Sequence, residues 1–322
     1  MLSRRDLLAG ATAFGIADLF GPMTGVFAKA SQPTTPLNFE IPKAACDCHV
    51  HVFGDPARFP FALTRTYTPE TASVDELCAM HRALHIARAV IVQPSVYGTD
   101  NSCILDAMKQ YGLAARGIAV IDGKTSDKTL DDMQRAGIRG VRINLGTTGE
   151  TDVVVARRRF QAALDQIKGR NWHIQIYASL PVVAGLKEQV LASPVPVVFD
   201  HFGGAKAALG LQQPGLEDLL NLVRTGRAYV KITSAYTTSA QAPDYADAAP
   251  LARALIAANP RQILWGSDWP HTDTIHRREA TAVTPLLSID DGQMLNLLAL
   301  WAPDATLRKT ILVDNPARLY GF

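Results

Sequence analysis

The feature that most constrains the fold of this 322-residue chain is the alternation of short apolar runs with longer amphipathic ones. The apolar runs are rich in Val and Ile and end at Gly, Pro or polar residues, as strands buried on both faces of a parallel sheet do. They predict eight strands, at residues 44–50, 87–93, 116–121, 138–144, 172–177, 195–201, 229–234 and 262–267. The stretches between them predict helices, at residues 74–85, 104–111, 128–136, 154–167, 182–191, 216–224 and 245–258.

Strand followed by helix, repeated about eight times, predicts an α/β protein with a parallel (β/α)8 TIM barrel. A doubly wound open sheet needs fewer strands and usually has a Gly-rich phosphate-binding turn, which the sequence does not show. Apolar periodicity at residues 289–301 and 305–313 predicts extra helices at the C-terminal end.

Composition excludes two classes of partner. The chain carries 32 basic and 30 acidic residues, and the basic residues are scattered, whereas a nucleic-acid-binding surface needs them clustered. No apolar stretch after residue 30 is long enough to span a bilayer, so we expect no membrane domain. Hydrophobic residues make up 48% of the chain, enough for a substantial core.

The first thirty residues have the pattern of an export signal. Arg4 and Arg5 precede a mildly apolar stretch at residues 7–27, which ends in the small-residue pattern "AKA". The paired arginines are typical of the twin-arginine route, and this predicts a periplasmic protein. The alternative is a cytoplasmic protein with an N-terminal tail. The chain is thus expected to divide into an export signal, a Pro-containing linker and a barrel domain, at residues 1–30, 31–42 and 43–322.

The stretch "CDCHVHVFG" closes the first predicted strand. Strict alternation along a strand places Cys46 and Cys48 on one face, with Asp47, His49 and His51 on the other. We therefore expect the cysteines to pack against the surrounding helices. Four cysteines in a chain of this length do not indicate a disulfide framework.

Polar and titratable residues gather where the predicted strands end. Because the C-terminal ends of barrel strands open into one shared bowl, residues there are candidates for catalysis. They are His49, His51, Arg142, Tyr177, Asp200, His201, Lys231, Tyr236, Asp268 and His271. The two histidines of the first strand are spaced for shared coordination, and a buried carboxylate near histidines needs a partner or a chemical role.

The combination of "CHVHVFG" with "GSDWPH" makes the chain similar to the amidohydrolase superfamily, in the branch that includes 2-pyrone-4,6-dicarboxylate lactonase. Further blocks resemble this branch in the same order: "FPF…YTP", "VIVQPSVYGTDNS", "ARGIAVID", "GIRGVRIN", "DHFGG" and "NPARLY". The resemblance covers nearly all of residues 42–322. It implies a distorted (β/α)8 barrel and a hydrolase that opens the ring of an acidic lactone.

The resemblance also implies roles for individual residues. Asp268 becomes the general base that activates water, and His49, His51 and His201 polarise the lactone carbonyl, directly or through an ion. The resemblance implies that Arg142 and Tyr177 bind the substrate, and Lys231, Tyr236 and Ser95 are further candidates for substrate binding. An arginine fork suits a carboxylate or a sulfonate because it forms two parallel charged hydrogen bonds.

The chain departs from the family pattern where the lactonase has further arginines. Thr148 and either Thr237 or Thr238 stand in those places. We therefore expect a substrate other than the pyrone dicarboxylate, such as a carboxylated or sulfonated muconolactone or a sugar-acid lactone. Lys206 or Lys231 is a candidate for the missing positive charge.

The metal content is left open by the sequence. His49, His51, His201 and Asp268 form a sufficient ligand set for tetrahedral Zn²⁺. Metal-dependent relatives, however, have a further histidine on the fifth barrel strand, where this chain has Gln175 and Tyr177. Zinc-dependent and metal-free catalysis both fit.

Three other functions are compatible with the same residues. They are an isomerase of sugar-acid lactones, a metal-dependent decarboxylase of the superfamily, and a binding protein for organic acids without catalysis. For a lactone hydrolase, the expected partner is a small acidic lactone. A homo-oligomer is neither required nor excluded.

Overall fold

Eight parallel strands form the centre of the molecule. The computed structural model describes residues 30–273, 276 and 279–322, so the predicted export signal lies outside the described residues except for Ala30. The strands of the large sheet are β1 Cys46–Val50, β3 Arg88–Val92, β4 Ala115–Ala119, β5 Ile138–Asn144, β6 His173–Tyr177, β7 Val197–Phe199, β8 Ala228–Thr233 and β9 Ile263–Gly266. Each pairs in parallel with the next, in chain order.

The sheet curves until its first and last strands meet. The backbone N–H of Asp268 donates to the carbonyl oxygen of His49 at 2.8 Å, and the N–H of His51 donates to the carbonyl oxygen of Trp269 at 2.8 Å. The predicted TIM barrel and all eight predicted strands are therefore confirmed. These two hydrogen bonds also place the end of β1 beside the end of β9.

Helices surround the barrel. They are α1 Val74–Ala83, α2 Ser102–Tyr111, α3 Asp127–Ala136, α4 Val153–Ile167, α5 Leu180–Gly185, α6 Lys187–Ala192, α7 Leu216–Arg224, α8 Ala235–Thr238, α9 Ala249–Ala258, α10 Asp291–Trp301, α11 Ala305–Lys309 and α12 Asn315–Tyr320. The helix predicted at 182–191 is two short helices that meet at Leu186. The extra C-terminal helices are present. In the part of the chain that the structure describes, no helix has the length and apolarity needed to span a bilayer.

Local sequence sets several helix ends. Ser73 begins α1 with a capping box, in which its hydroxyl accepts from the N–H of Glu76 at 3.3 Å and the carboxylate of Glu76 accepts from the N–H of Ser73 at 2.8 Å. Gly137 ends α3 in the left-handed conformation, which costs least for glycine. Each cap satisfies backbone groups that the helix leaves unpaired.

The direction of the β1 side chains differs from the prediction. Cys46 and Cys48 lie in a buried cluster with residues of other barrel strands, such as Val90, and with Tyr320 of α12. A register shift between Asp47 and Val50 breaks the alternation, as a β-bulge does. Asp47 instead points outward, with its Oδ2 3.4 Å from Nε2 of His81 on α1. The expectation that Asp47 lies on the same face as the histidines was therefore wrong, and the cysteines contact other barrel strands as well as a helix.

The segment predicted as a linker at 31–42 is irregular but packed against the barrel. Asp290 accepts hydrogen bonds from the backbone N–H groups of Thr34 and Thr35, at 3.1 and 2.9 Å. Nε1 of Trp269 donates to the carbonyl oxygen of Ser31 at 3.1 Å. A second, two-stranded parallel sheet, β2 Thr68–Pro69 with β10 Val283–Thr284, was not predicted.

Candidate active site

Three histidines and one aspartate meet at the C-terminal ends of the barrel strands. Oδ1 of Asp268 lies 3.5 Å from Nε2 of His49 and 3.5 Å from Nε2 of His51. The ring of His201 lies 5.0 Å from that of His49, centroid to centroid. The structure therefore brings together all four residues that the sequence assigned to catalysis, from β1 and from the loops after β7 and β9.

The two oxygens of Asp268 have different surroundings. Oδ2 accepts hydrogen bonds from Oγ of Ser234 at 2.6 Å and from the hydroxyl of Tyr236 at 2.8 Å. Oδ1 faces the imidazoles, and the side chain keeps 15% of its surface exposed. The carboxylate is thus held through one oxygen while the other faces the imidazole cluster.

Each histidine is oriented through its Nδ1 atom. Nδ1 of His51 lies 2.8 Å from the carbonyl oxygen of Val92, and Nδ1 of His201 lies 2.9 Å from Oγ1 of Thr233. Nδ1 of His49 lies 3.2 Å from Oδ1 of Asp200. Nδ1 of His49 also lies 3.2 Å from Nζ of Lys231, so a carboxylate and an ammonium both contact this nitrogen. Among the described residues, Nε2 of His49 has no hydrogen-bond partner.

A layer of buried charge lies beneath the cluster. Nζ of Lys231 lies 3.5 Å from Oδ1 of Asp200, and Nε of Arg142 lies 3.4 Å from Oδ2 of the same carboxylate. Gln175 joins the layer by donating to Oδ2 of Asp200 at 3.0 Å and accepting from Nζ of Lys231 at 2.7 Å. Gln175, on the fifth barrel strand, therefore supports this charge layer and its side chain is fully buried.

Burial and charge set the protonation of the site. Burial, together with the charge of Lys231, lowers the pKa of His49 well below its ordinary value, and burial lowers the pKa of His201. Burial opposes ionisation of Asp268, but His201 and the hydrogen bond with His51 outweigh it and hold the pKa of Asp268 well below its usual range. Near neutral pH the site thus combines neutral imidazoles at His49 and His201 with an ionised carboxylate.

A small cavity of about 50 Å³ opens at the cluster. Three of the predicted substrate-binding residues, Arg142, Tyr177 and Ser95, line it together with His51, His201 and Asp268. The guanidinium of Arg142 lies 5.8 Å from the centre of the Tyr177 ring. An arginine at the wall of this cavity is placed to meet an acid group of a ligand.

The other two predicted substrate-binding residues lie elsewhere. Tyr236 is behind Asp268, as its hydrogen bond shows. Lys231 is fully buried and engages His49, Gln175 and Asp200, and it is not among the residues that line the cavity. Its placement supports a role in the charge layer and not in contact with substrate. Burial lowers the pKa of Lys231, although Asp200 opposes this shift.

The threonine substitutions give the cavity a neutral wall. Of these substitutions Thr237 lines the cavity, beside Thr147, whereas Thr148 donates its hydroxyl to the carbonyl oxygen of Leu145 at 3.1 Å. Lys206 lies near this wall, since its Nζ donates to the carbonyl oxygen of Thr237 at 2.7 Å. Lys206 is therefore the better placed of the two lysines considered for the missing positive charge.

Sequence reasoning missed two residues of the site, Tyr67 and Asp291, whereas His271 was among the strand-end candidates. Tyr67 lines the cavity, and burial raises the pKa of its hydroxyl to about 12. It belongs to the "YTP" block, which carried the resemblance but suggested no role. His271 lies behind Tyr236, with Nδ1 3.3 Å from the tyrosine hydroxyl and Nε2 3.0 Å from Oδ1 of Asp291. Asp291 starts a C-terminal helix, so no local pattern linked it to the site.

Several non-glycine residues of the site have a left-handed backbone conformation. His201, Ser234 and Asp268 have positive φ angles of 49°, 54° and 69°. Non-glycine residues are uncommon in this region, and such strain gathers at functional sites. Gly266 has to be a glycine because a Cβ there would lie 2.7 Å from Cβ of His49.

The donor set fits a divalent cation. Among the described residues, one ligand atom from each of His49, His201 and Asp268 lies within 4.8 Å of the others. Nε2 of His49 is a buried nitrogen without a hydrogen-bond partner among the described residues, and an ion at this point would satisfy it. Two neutral imidazoles and a carboxylate are a usual ligand set for catalytic zinc, whereas His51, the fourth predicted ligand, is not part of this group.

Comparison with known proteins agrees with this geometry. The model of the family described as "Amidohydrolase" matches residues 46–322. A 4-sulfomuconolactone hydrolase of Rhizobium radiobacter is 35% identical over 291 residues, covering 89% of this chain and 93% of the relative. A 2-pyrone-4,6-dicarboxylate hydrolase of Comamonas testosteroni is 33% identical over 299 residues, covering 90% and 94%.

The fold has a solved counterpart. A protein of Acinetobacter baumannii, described as a probable 2-pyrone-4,6-dicarboxylic acid hydrolase with citric acid bound, superposes with a TM-score of 0.73 and 26% identity. The match covers 87% of this chain and 100% of that one. With the family model spanning the whole barrel and the histidines and aspartate gathered at its C-terminal end, the chain belongs to the amidohydrolase family.

Proposed function

We propose that the protein is an enzyme that hydrolyses the ring ester of an acidic lactone. The observation that carries the proposal is the asymmetry of Asp268, whose Oδ2 is held by two hydroxyls while Oδ1 faces the imidazole cluster. The names of the Rhizobium and Comamonas relatives, both hydrolases of acidic lactones, support the substrate class.

In this reaction Asp268 acts as the general base. A water molecule between Oδ1 and the lactone carbonyl gives its proton to Asp268 as its oxygen attacks the carbonyl carbon. The ring C–O bond then breaks, and the proton goes to the leaving oxygen. The Ser234 and Tyr236 hydroxyls keep the carboxylate in one orientation during both transfers. The low pKa of Asp268 makes it a weak base, which suits a reactive cyclic ester better than an amide.

Arg142 is the residue that we assign to the acid group of the substrate. It lines the cavity, and only 7% of its surface is exposed, so a charged hydrogen bond there is poorly screened by water. Its own charge is partly balanced by Asp200. Tyr67 and Thr237 line the same cavity, and the Thr237 hydroxyl, which donates to the carbonyl oxygen of Ser234 at 2.9 Å, keeps its oxygen as an acceptor for a ligand.

The count of charges favours a cation in the site. Asp200 and Asp268 are balanced by Lys231 and Arg142 before any substrate enters, and the two neutral histidines add no charge. An acidic substrate therefore brings an uncompensated negative charge into a buried site. A divalent ion held by His49, His201 and Asp268 would polarise the carbonyl and acidify water.

We also propose that the protein is exported to the periplasm. The support is the arginine pair and the small residues around position 30, in a stretch that lies outside the described residues except for Ala30. The test is N-terminal sequencing of protein from a periplasmic fraction. A start near Ser31 is expected, and a full-length protein found only in the cytoplasm would contradict export.

Product analysis tests the hydrolase. Purified protein is incubated with sulfonated and carboxylated muconolactones, the pyrone dicarboxylate and a sugar-acid lactone, while NMR follows the ring and a pH-stat follows acid release. A hydrolase opens the ring and releases acid with each turnover. An isomerase moves the ring without acid release, and a binding protein changes no substrate. Either of these results on the whole panel contradicts the proposal.

A further inference from the structure

A second cavity adjoins the catalytic one and is much larger. The catalytic cavity measures about 50 Å³, whereas binding sites for small molecules usually measure about 300–1,000 Å³. The second cavity measures about 390 Å³. Ser95, Arg142 and Asn144 line both cavities, so they form the boundary between them. The catalytic cavity alone has room for the reacting group but not for a whole substituted lactone.

The walls of the second cavity are mainly apolar. It lies outside β5 and beneath α4, with the loops after β3 and β4 at its sides. Its apolar lining comes from Val120, Ile121, Val141, Ile143, Ala162 and Ala163. Such a lining favours a hydrocarbon surface over water, because burying apolar area is favourable.

Among the described residues, Gln93 at the wall of this cavity has a buried polar atom without a hydrogen-bond partner. The Gln93 side chain is fully buried, and its Nε2 donates to the carbonyl oxygens of Gly98 and Asp100 at 3.3 and 2.7 Å. These two bonds fix the amide, and Oε1 is left without a hydrogen-bond partner among the described residues. A buried acceptor in this state calls for a donor, such as the hydroxyl of a ligand.

The boundary residue Arg142 links the two cavities chemically. Its NH1 group donates to the carbonyl oxygen of Gln93 at 3.4 Å, and its side chain faces the catalytic cavity. An acid group bound by Arg142 therefore lies at the junction, with the reacting ester on the side of Asp268 and the rest of the molecule directed to the apolar side. The order along the ligand is ester, acid group, apolar substituent.

We propose that the second cavity binds a hydroxylated aryl or alkyl substituent of the acidic lactone, with Gln93 Oε1 accepting from its hydroxyl. This assignment names the substrate class of the lactone hydrolysis proposed above and rests on it. The substrate is then an acidic lactone with an apolar arm, larger than a simple muconolactone.

The experiment compares three ligands and three variants. The probes are a γ-butyrolactone carboxylate, the same lactone with a phenyl group, and the same lactone with a 4-hydroxyphenyl group. Calorimetry with their ring-opened acids measures binding, and kcat/KM of the lactones measures turnover. Ala162→Trp and Ala163→Leu fill the cavity from α4. Gln161→Trp is the control, since Gln161 is exposed on the same helix and does not line the cavity.

We expect the phenyl ring and its hydroxyl group each to increase the binding affinity of the acid. The 4-hydroxyphenyl acid binds the wild type at least about tenfold more tightly than the acid without an arm, and also more tightly than the phenyl acid. Both filling variants remove this gain and leave binding of the acid without an arm unchanged, whereas Gln161→Trp changes neither. No gain from the arm, or a gain that survives both filling variants, overturns the proposal. A gain in binding without turnover of any lactone retains the cavity assignment and overturns lactone hydrolysis.

Discussion

Oδ1 of Asp200 lies 3.2 Å from Nδ1 of His49, and both side chains are fully buried. Asp200 also balances Lys231 and Arg142, so one carboxylate joins the orientation of a candidate catalytic histidine to the charge of the layer below it. The pKa of Asp200 is held well below its usual range by His49 and Lys231, against the effect of burial. This aspartate is the electrostatic centre of the site.

Replacing Asp200 therefore affects folding as well as activity. Asp200→Asn keeps the shape but leaves two buried cations without their partner, and breaking a buried ion pair in this way costs about 3–5 kcal/mol. Urea unfolding measures the loss. Asp132→Asn is the control, because its ion pair with Lys128 is exposed, and it should leave the unfolding free energy unchanged within error. Equal effects of the two substitutions would contradict the assignment of Asp200.

His173 makes the folded protein less stable in acid than at neutral pH. Burial and the charge of Lys231 lower the pKa of His173 to about 3, so the unfolded chain binds a proton at this residue before the folded one does. Its contribution to stability is present above about pH 6.5 and is lost as the pH falls towards 3. In His173→Gln, the unfolding free energy should fall less steeply below pH 6.5, by about 1.4 kcal/mol per pH unit. Denaturant titrations at several pH values check this. Identical slopes in the two proteins would be the contrary result.

The barrel could be predicted because its signal is repeated. Each buried parallel strand is an apolar run in the sequence, and eight such runs in order predict the barrel. The position of the site followed, since His49, His201 and Asp268 come at strand ends and all barrel strands end at one face. The site could therefore be outlined from the sequence before any distance was known.

The features that could not be predicted depend on the tertiary contacts of individual residues. The register shift in β1, between Asp47 and Val50, accompanies the placement of Asp47 and His49 on different faces, and alternation alone cannot reveal it. Lys231 was predicted to contact substrate. The sequence near a strand end does not distinguish a lysine that faces the cavity from one that lies beneath it, and Lys231 is fully buried. The pairing of His271 with Asp291 joins segments that no local pattern connects.

The hydroxyl of Tyr236 should matter for turnover more than for binding. Tyr236→Phe removes one of the two hydrogen bonds to Oδ2 of Asp268 and leaves that of Ser234. A hydrogen bond to a charged group contributes about 1.5–3 kcal/mol, so we expect kcat to fall by about 10- to 100-fold with KM nearly unchanged. Steady-state kinetics on the best lactone measure this split. Tyr111→Phe, which loses a hydroxyl beside His81 on α1, is the control. A fall in both variants would indicate a general loss of structure.

Zinc binding should depend on the cavity histidines. Titration of the purified, metal-stripped protein with Zn²⁺ against a chromophoric chelator should show one equivalent bound. His201→Ala should weaken this binding by at least about tenfold, because it removes one of three close donors. His276→Ala is the control, since that side chain is 73% exposed. Absence of binding, or binding that both variants retain, would speak for metal-free catalysis.

The measurement closest to the central claim is acid release from an acidic lactone by the wild type and by Asp268→Asn, followed in a pH-stat. The substitution keeps the side-chain shape but removes the base, and a general base contributes about 10²- to 10⁴-fold to the rate. The account predicts a fall of that size in kcat, with a far-UV spectrum and melting temperature close to those of the wild type. Turnover by Asp268→Asn at the wild-type rate would contradict it.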